Sequence, residues 1–151
     1  MRVFNTLEEL DACVGQAVAT SDWVTITQEQ VNRFAEATGD HQWIHVDVER
    51  ARSGPFGAPI AHGFLTLSLL PVFFESAMAI RQSAMGVNYG LNRVRFTAPV
   101  PVGSRLRAHL TLMAIEPVEP GGRQMTWGVS VEREGSEKPV CLAESLVRRF
   151  P

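Results

Sequence analysis

Two hydrophobic periods divide this chain. The last third alternates. Leu106, Ala108, Leu110 and Leu112 are apolar where Arg105, Arg107, His109 and Thr111 are polar. Met125, Trp127, Val129 and Val131 repeat the pattern against Gln124, Thr126, Gly128 and Ser130. A period of two is that of a strand with one face buried. Both stretches therefore predict strands, as do residues 87–96 and 140–150. Gly121-Gly122 and Glu134-Gly135-Ser136 predict hairpin turns. Trp23-Val24-Thr25-Ile26, β-branched and aromatic, predicts one earlier strand.

The first half reads as helices. Thr6-Leu7-Glu8-Glu9 and Thr27-Gln28-Glu29-Gln30 each place a hydroxyl three residues ahead of Glu or Gln, the form of a capping box. The first predicts a short helix to about residue 15. The second predicts a helix with Val31, Phe34, Ala35 and Thr38 on one side and Gly39 at the C-cap. Asp47 is placed to cap one more turn over residues 48–52. A breaker-rich loop follows at residues 53–59, either a cover over a pocket or a plain connector. Gly63 then opens a helix predicted to reach about residue 83, kinked or short of a hydrogen bond at Pro71.

That helix is apolar on nearly every side, which belongs in lipid or in a protein core. Its apolar run, residues 64–80, is shorter than the ~20 residues of a membrane span. It also holds Ser68, Pro71, Glu75 and Ser76. A buried helix with no membrane association is expected. Helices followed by meandering strands imply an α+β fold, a long helix wrapped by a curved antiparallel sheet. The open rim of such a sheet suits a second copy, so a homodimer is expected, built from one domain over residues 1–151.

Composition narrows the function. A formal charge of −2 over 151 residues provides no polybasic surface, so nucleic acid is not expected as a partner. Cys13 and Cys141 are far apart and form no CxxC. They suit a reducing compartment, and a cytoplasmic location is expected. The first residues, Met1-Arg2-Val3-Phe4-Asn5, are followed by acids rather than an apolar signal region.

The candidate chemistry lies in Thr38-Gly39-Asp40-His41-Gln42-Trp43-Ile44-His45 and in Ala61-His62-Gly63-Phe64-Leu65. Asp40 and His45 have reference pKa values near ~3.9 and ~6.5. At neutral pH they form one carboxylate and one mostly neutral imidazole, able to take a proton from a shared water and return it. Spacing alone fits a turn aspartate and a satisfied histidine equally well. Gly63 adds a backbone N–H at a helix start, where a carbonyl gaining negative charge would be stabilised. Alternatively, it only permits close packing. A zinc site drawn from His41, His45, Asp47 and His62 ranks lower, because the break at Gly39-Asp40 opposes a helix across His41 and His45. Arg93 and Arg95 fit either phosphate contacts or a solvated sheet face. Ser68 fits either a tunnel wall or a hydroxyl bonded to the preceding turn.

Together, Thr38-Gly39-Asp40, His45 and Ala61-His62-Gly63 resemble the MaoC-like (R)-specific enoyl-CoA hydratases, or hydratase 2. The resemblance covers the whole chain, including residues 87–96 and the Pro-Val-Gly loop after them. Gln42-Trp43-Ile44-His45 is similar to the nodulation protein N branch. The resemblance implies a dimeric hot-dog fold, an acyl-CoA ligand and no cofactor or metal. It places the catalytic pair on Asp40 and His45 and the oxyanion amide on Gly63. The implied reaction is hydration of a trans-2-enoyl-CoA to a (3R)-hydroxyacyl-CoA. The alternatives are the reverse reaction on carrier-protein thioesters, or non-catalytic acyl-CoA binding. Gln42-Trp43 replaces the Asn-Pro of better-known hydratases, and the bulkier Trp43 would either narrow the acyl tunnel or simply pack.

Overall fold

The computed structural model describes residues 1–151. In chain order the elements are β1 (Arg2–Phe4), a 3-10 helix (Glu8–Cys13), β2 (Gln16–Thr20) and β3 (Val24–Thr25). Five short helices follow: α1 (Gln28–Thr38), α2 (Trp43–Val46), α3 (Val48–Arg52), α4 (Gly63–Ser68) and α5 (Leu70–Ala77). The strands β4 (Met78–Ile80), β5 (Met85–Arg95), β6 (Arg105–Val118), β7 (Gly122–Arg133) and β8 (Cys141–Phe150) complete the chain.

The alternating stretches form the sheet as expected. Its order is β2-β6-β7-β8-β5, with β3 also paired to β6, and all these pairings are antiparallel. Leu106, Ala108, Leu110 and Leu112 point inward with Met125, Trp127, Val129 and Val131. The inner face packs on α4 and α5. Phe73 is fully buried, and the Phe74 ring meets Trp127 edge-on at 5.3 Å. A single cluster of 27 buried apolar residues spans sheet and helices, so one core serves both layers. Each such Leu or Phe contributes about 1.5–3 kcal/mol of burial. This is the hot-dog arrangement, a sheet around a central helix.

Three caps read from the sequence are present. The Thr27 hydroxyl accepts from the Gln30 N–H at 3.1 Å, and the Asp47 carboxylate accepts from Arg50 N–H at 3.1 Å. Gly39 closes α1 in the left-handed region, with φ 82° and its N–H donating to the Ala35 carbonyl.

The first capping box differs from expectation. Glu9 reaches back to the Asn5 N–H at 2.8 Å, one residue earlier than predicted, and the turn it begins is 3-10 rather than α. Gly15, at φ 82°, ends it early enough for β2 to form. That strand was not expected, because Gln16–Thr20 sends only Val18 fully into the core and bulges between Ala17 and Ala19.

The central helix also differs. It breaks at Leu69, whose N–H turns back to Thr66 at 3.2 Å. Pro71 is the reason: in a continuous helix its missing N–H would have served the Leu67 carbonyl. The second segment ends at Ala77, short of residue 83, because Met78–Ile80 extends to pair in parallel with Arg2–Phe4. Nor is the helix fully buried. Phe64 is 68% and Val72 44% exposed. On the edge strand β5, Val87, Tyr89 and Leu91 are exposed too.

Gly39→Ala would hold a Cβ in the left-handed region, with no neighbour within 4 Å to clash. The expected loss is about 1–2 kcal/mol, read as a lower urea midpoint at unchanged slope.

Candidate active site

The Gly39 cap turns the chain out of α1 and places Asp40 on the following bend, where its carboxylate accepts from the Gln42 N–H at 3.3 Å. Two residues later, α2 carries His45 inward. This short helix is held from outside. Gln28 Nε2 donates to the His45 carbonyl at 2.8 Å, and the Ile60 N–H donates to the Ile44 carbonyl at 3.0 Å. Ile60 and its neighbours are strapped in turn to residues 100–102, with the Ala61 N–H on the Val100 carbonyl at 2.8 Å.

The His45 ring is buried, and its Nδ1 lies 2.6 Å from the Ile60 carbonyl oxygen. A carbonyl only accepts, so Nδ1 carries the hydrogen and Nε2 carries the lone pair. Burial pushes the imidazole pKa below its usual value. The Ile60 hydrogen bond opposes that shift, neighbouring His62 adds to it, and Asp40 opposes it. The neutral ring, with a basic Nε2, is the favoured form.

His62 is the second buried imidazole. Its Nε2 donates to the Asp40 backbone carbonyl at 2.9 Å, which ties the bend at Asp40 to the start of α4. The ring stacks on His45, centroids 3.8 Å apart and planes 24° apart, and meets Phe34 at 4.9 Å on its other side. The sequence marked His62 only within a motif and as a possible metal ligand. The structure gives it a positioning role.

One ligating atom from each of Asp40, His45 and His62 lies within 4.8 Å of the others. The sets fit a water better than a cation. A water hydrogen-bonded to two acceptors reaches across about this distance. A cation held by both imidazoles must lie near both ring planes, and the planes of two stacked rings run side by side rather than meeting at such a point.

His45 opens on a pocket of about 370 Å³ shared with Gly63, Thr66, Phe56 and Phe96. Gly63 is the first residue of α4, and its N–H has no acceptor within the chain, whereas those of Leu65 and Thr66 both reach the His62 carbonyl. A Cβ on residue 63 would lie 2.7 Å from the Phe96 ring. This glycine therefore permits close packing, and its N–H at the start of α4 is free. Phe56 brings the breaker loop into the pocket wall. Thr66 and Phe56 were not singled out in the sequence. The register of Thr66, three residues after Gly63 on one helix, was the available signal for it.

Other candidates fall elsewhere. Trp43 does not line the pocket. Its ring packs on Gly54, where a Cβ would approach to 2.9 Å, and lies under the Arg50 guanidinium at 4.2 Å. Ser68 bonds the Phe64 carbonyl at 2.6 Å, as a helix hydroxyl satisfied by the preceding turn. Arg93 and Arg95 stand on the outer sheet face, and His41 is exposed. A second cavity of about 540 Å³ lies beside α5, lined by Leu70, Phe74, Trp127 and Val147 among others.

A MaoC-like domain model matches residues 9–134. The chain belongs to the MaoC-like domain family. It is 57% identical over 148 residues to the 3-hydroxyacyl-thioester dehydratase Z of Mycobacterium tuberculosis, covering 98% of each chain. It is 45% identical over 140 residues to the nodulation protein N of Rhizobium meliloti, covering 91% of this chain and 87% of that one. Among solved structures it is similar to the R-hydratase PhaJ1 of Pseudomonas aeruginosa, with TM-score 0.68 and 25% identity over 89% of this chain and 79% of that one. The membership supports a hydro-lyase.

The His45 titration is directly testable. By histidine NMR its midpoint should fall below that of a free imidazole. If His45 acts as a base, the neutral ring is the form required, and turnover should persist below that free value and decline only as pH falls through the lowered one. A midpoint at or above the ordinary value would contradict the burial argument.

Proposed function

We propose that this protein interconverts trans-2-enoyl and (3R)-hydroxyacyl thioesters, with coenzyme A thioesters as substrates. The observation that carries the reading is that ligating atoms of Asp40 and His45 lie within 4.8 Å of each other, with Gly63, whose N–H is free, lining the pocket on which His45 opens. An acid–base pair and an oxyanion donor are the parts this addition needs. Similarity to a 3-hydroxyacyl-thioester dehydratase supports the substrate class, and similarity to an R-hydratase supports the face. Hydration and dehydration are one equilibrium, so both names describe one site.

In the hydration direction, Asp40 and His45 hold a water against C3 of the enoyl group. Its oxygen bonds to C3 while the pair takes one of its protons. The C2–C3 π electrons move toward C2, and the negative charge spreads to the thioester oxygen at the Gly63 N–H. The same proton then passes from the pair to C2. Water is consumed, and the side chains end in their starting protonation state. Conjugation with the thioester makes C3 electrophilic, so the chain's own groups suffice for the step.

A homodimer is part of this reading. Phe64 and Val72 on the central helices and Val87, Tyr89 and Leu91 on β5 are all exposed, and β5 ends the sheet with an unpaired edge. Apolar surface of that kind marks an association site. Phe64 meets Phe96 at 5.8 Å, and Phe96 lines the pocket, so a partner seated there would also close the site.

With crotonyl-CoA, the wild type should bleach the enoyl absorbance. Asp40→Asn and His45→Gln should each slow it by about 10²–10⁴-fold while the far-ultraviolet spectrum is unchanged. Full activity in either variant would remove the pair from the mechanism. Tight acyl-CoA binding without turnover in the wild type would favour a binding module, and a marked preference for carrier-protein thioesters would reassign the donor. Replacing Tyr89 and Leu91 with Lys should halve the mass seen by light scattering; a wild type that is already monomeric would end the dimer reading.

A further inference from the structure

The pocket holds one more polar group without an assigned partner. Thr66 is 1% exposed, lines the pocket with His45 and Gly63, and its Oγ1 makes no hydrogen bond. The other hydroxyls on the helices do not behave this way. Thr38 donates to the Phe34 carbonyl at 2.7 Å, Ser68 to Phe64 at 2.6 Å and Ser76 to Phe73 at 3.2 Å. Each uses the ordinary outlet for a helix hydroxyl, a carbonyl three or four residues back. For Thr66 the corresponding carbonyls are those of His62 and Gly63, and the hydroxyl reaches neither; the His62 carbonyl takes the N–H groups of Leu65 and Thr66.

A buried hydroxyl left unpaired is costly, and such a group in a native site calls for a reason. Position supplies one. Residues three apart on a helix are neighbours on one face, and helical side chains lean toward the N-terminus. Thr66 therefore leans toward Gly63, whose N–H is also free. Both residues line the same pocket as His45.

We propose that the Thr66 hydroxyl is a second oxyanion donor, binding the thioester oxygen together with the Gly63 amide. This rests on the hydro-lyase reading above and extends it. The hydroxyl hydrogen points at the thioester oxygen, and no bond to Thr66 forms or breaks. Its interaction strengthens as the enolate develops, so its effect falls on kcat rather than on binding. Two donors on one helical turn also fix the direction of the carbonyl, which orients C3 toward Asp40 and His45.

The test compares Thr66→Val, which keeps shape and loses the hydroxyl, with Thr66→Ser, which keeps the hydroxyl. Against crotonyl-CoA, Thr66→Val should lose about 10²–10³-fold in kcat, the scale of one oxyanion donor. KM and binding of the saturated butyryl-CoA should stay near wild type, the melting temperature should hold or rise because an unpaired buried hydroxyl is removed, and Thr66→Ser should recover most of the rate. A second readout holds the substrate unreacted. In an Asp40→Asn background, bound crotonyl-CoA should show a red-shifted enoyl absorbance. The shift should shrink on adding Thr66→Val and return on adding Thr66→Ser. Should Thr66→Val not fold, Thr66→Ala takes its place in both comparisons. Full kcat without the hydroxyl, equal loss in the Val and Ser variants, or an unchanged spectral shift would each overturn the proposal. A wild type inactive on enoyl thioesters would overturn the hydro-lyase reading and this one with it. An active wild type matched by Thr66→Val would overturn this one alone.

Discussion

The hydrogen bond from His45 Nδ1 to the Ile60 carbonyl is the constraint on which the site depends. At 2.6 Å it joins the short helix that carries His45 to the segment that leads into α4. It thereby fixes three things: the tautomer, the aim of Nε2, and the separation between the imidazole and Gly63. A short helix of four residues has little stability of its own. Its position comes from this bond, from Gln28 on the His45 carbonyl, and from the Ile60–Ile44 backbone pair. His62 completes the frame by stacking on His45 and holding the Asp40 carbonyl. Three separate stretches of chain meet within a few ångströms because their backbone groups satisfy one another.

Burial has opposite uses in the two layers of the molecule. In the core it supplies stability, through apolar side chains from strands and helices in a single cluster. At the site it is applied to polar groups, where it costs stability and gains reactivity. His45 is kept neutral by the loss of water around it, and the desolvated pocket strengthens whatever its donors touch. Asp40, exposed at the edge, retains the hydration that a carboxylate needs. One member of the pair is thus set by burial and the other by solvent.

The sheet was largely legible in the sequence, because a period of two leaves a plain trace over Arg105–Val118 and Gly122–Arg133. The caps at Thr27, Gly39 and Asp47 were legible for a similar reason, since each rests on local hydrogen bonds. Boundaries set by distant partners were not. The helix ends at Ala77 because Met78–Ile80 finds β1, more than seventy residues away in sequence. Gln16–Thr20 becomes a strand because β6 is available beside it, although its own pattern is weak. In the site, the motif spacing brought Asp40, His45 and Gly63 to notice. The acceptor of His45, the service of His62 and the unpaired state of Thr66 depend on Ile60, on the Asp40 carbonyl and on crowding at the His62 carbonyl. No single-residue pattern encodes those. Trp43 looked like a possible obstruction from its size alone, and its place beside Gly54 and Arg50 removes it from the pocket.

The break at Leu69 has a consequence for how such a molecule diversifies. It divides the central helix into α4, which bears Gly63 and Thr66, and α5, which borders the larger cavity through Leu70 and Phe74. An unbroken rod would transmit a shift at one end to the other. With a joint between them, side chains on α5 can be exchanged and the segment can tilt while the turn at Gly63 stays in register with His45. The turn that bears the candidate site and the segment that lines the larger cavity are therefore heritable as separate traits on one short stretch of chain.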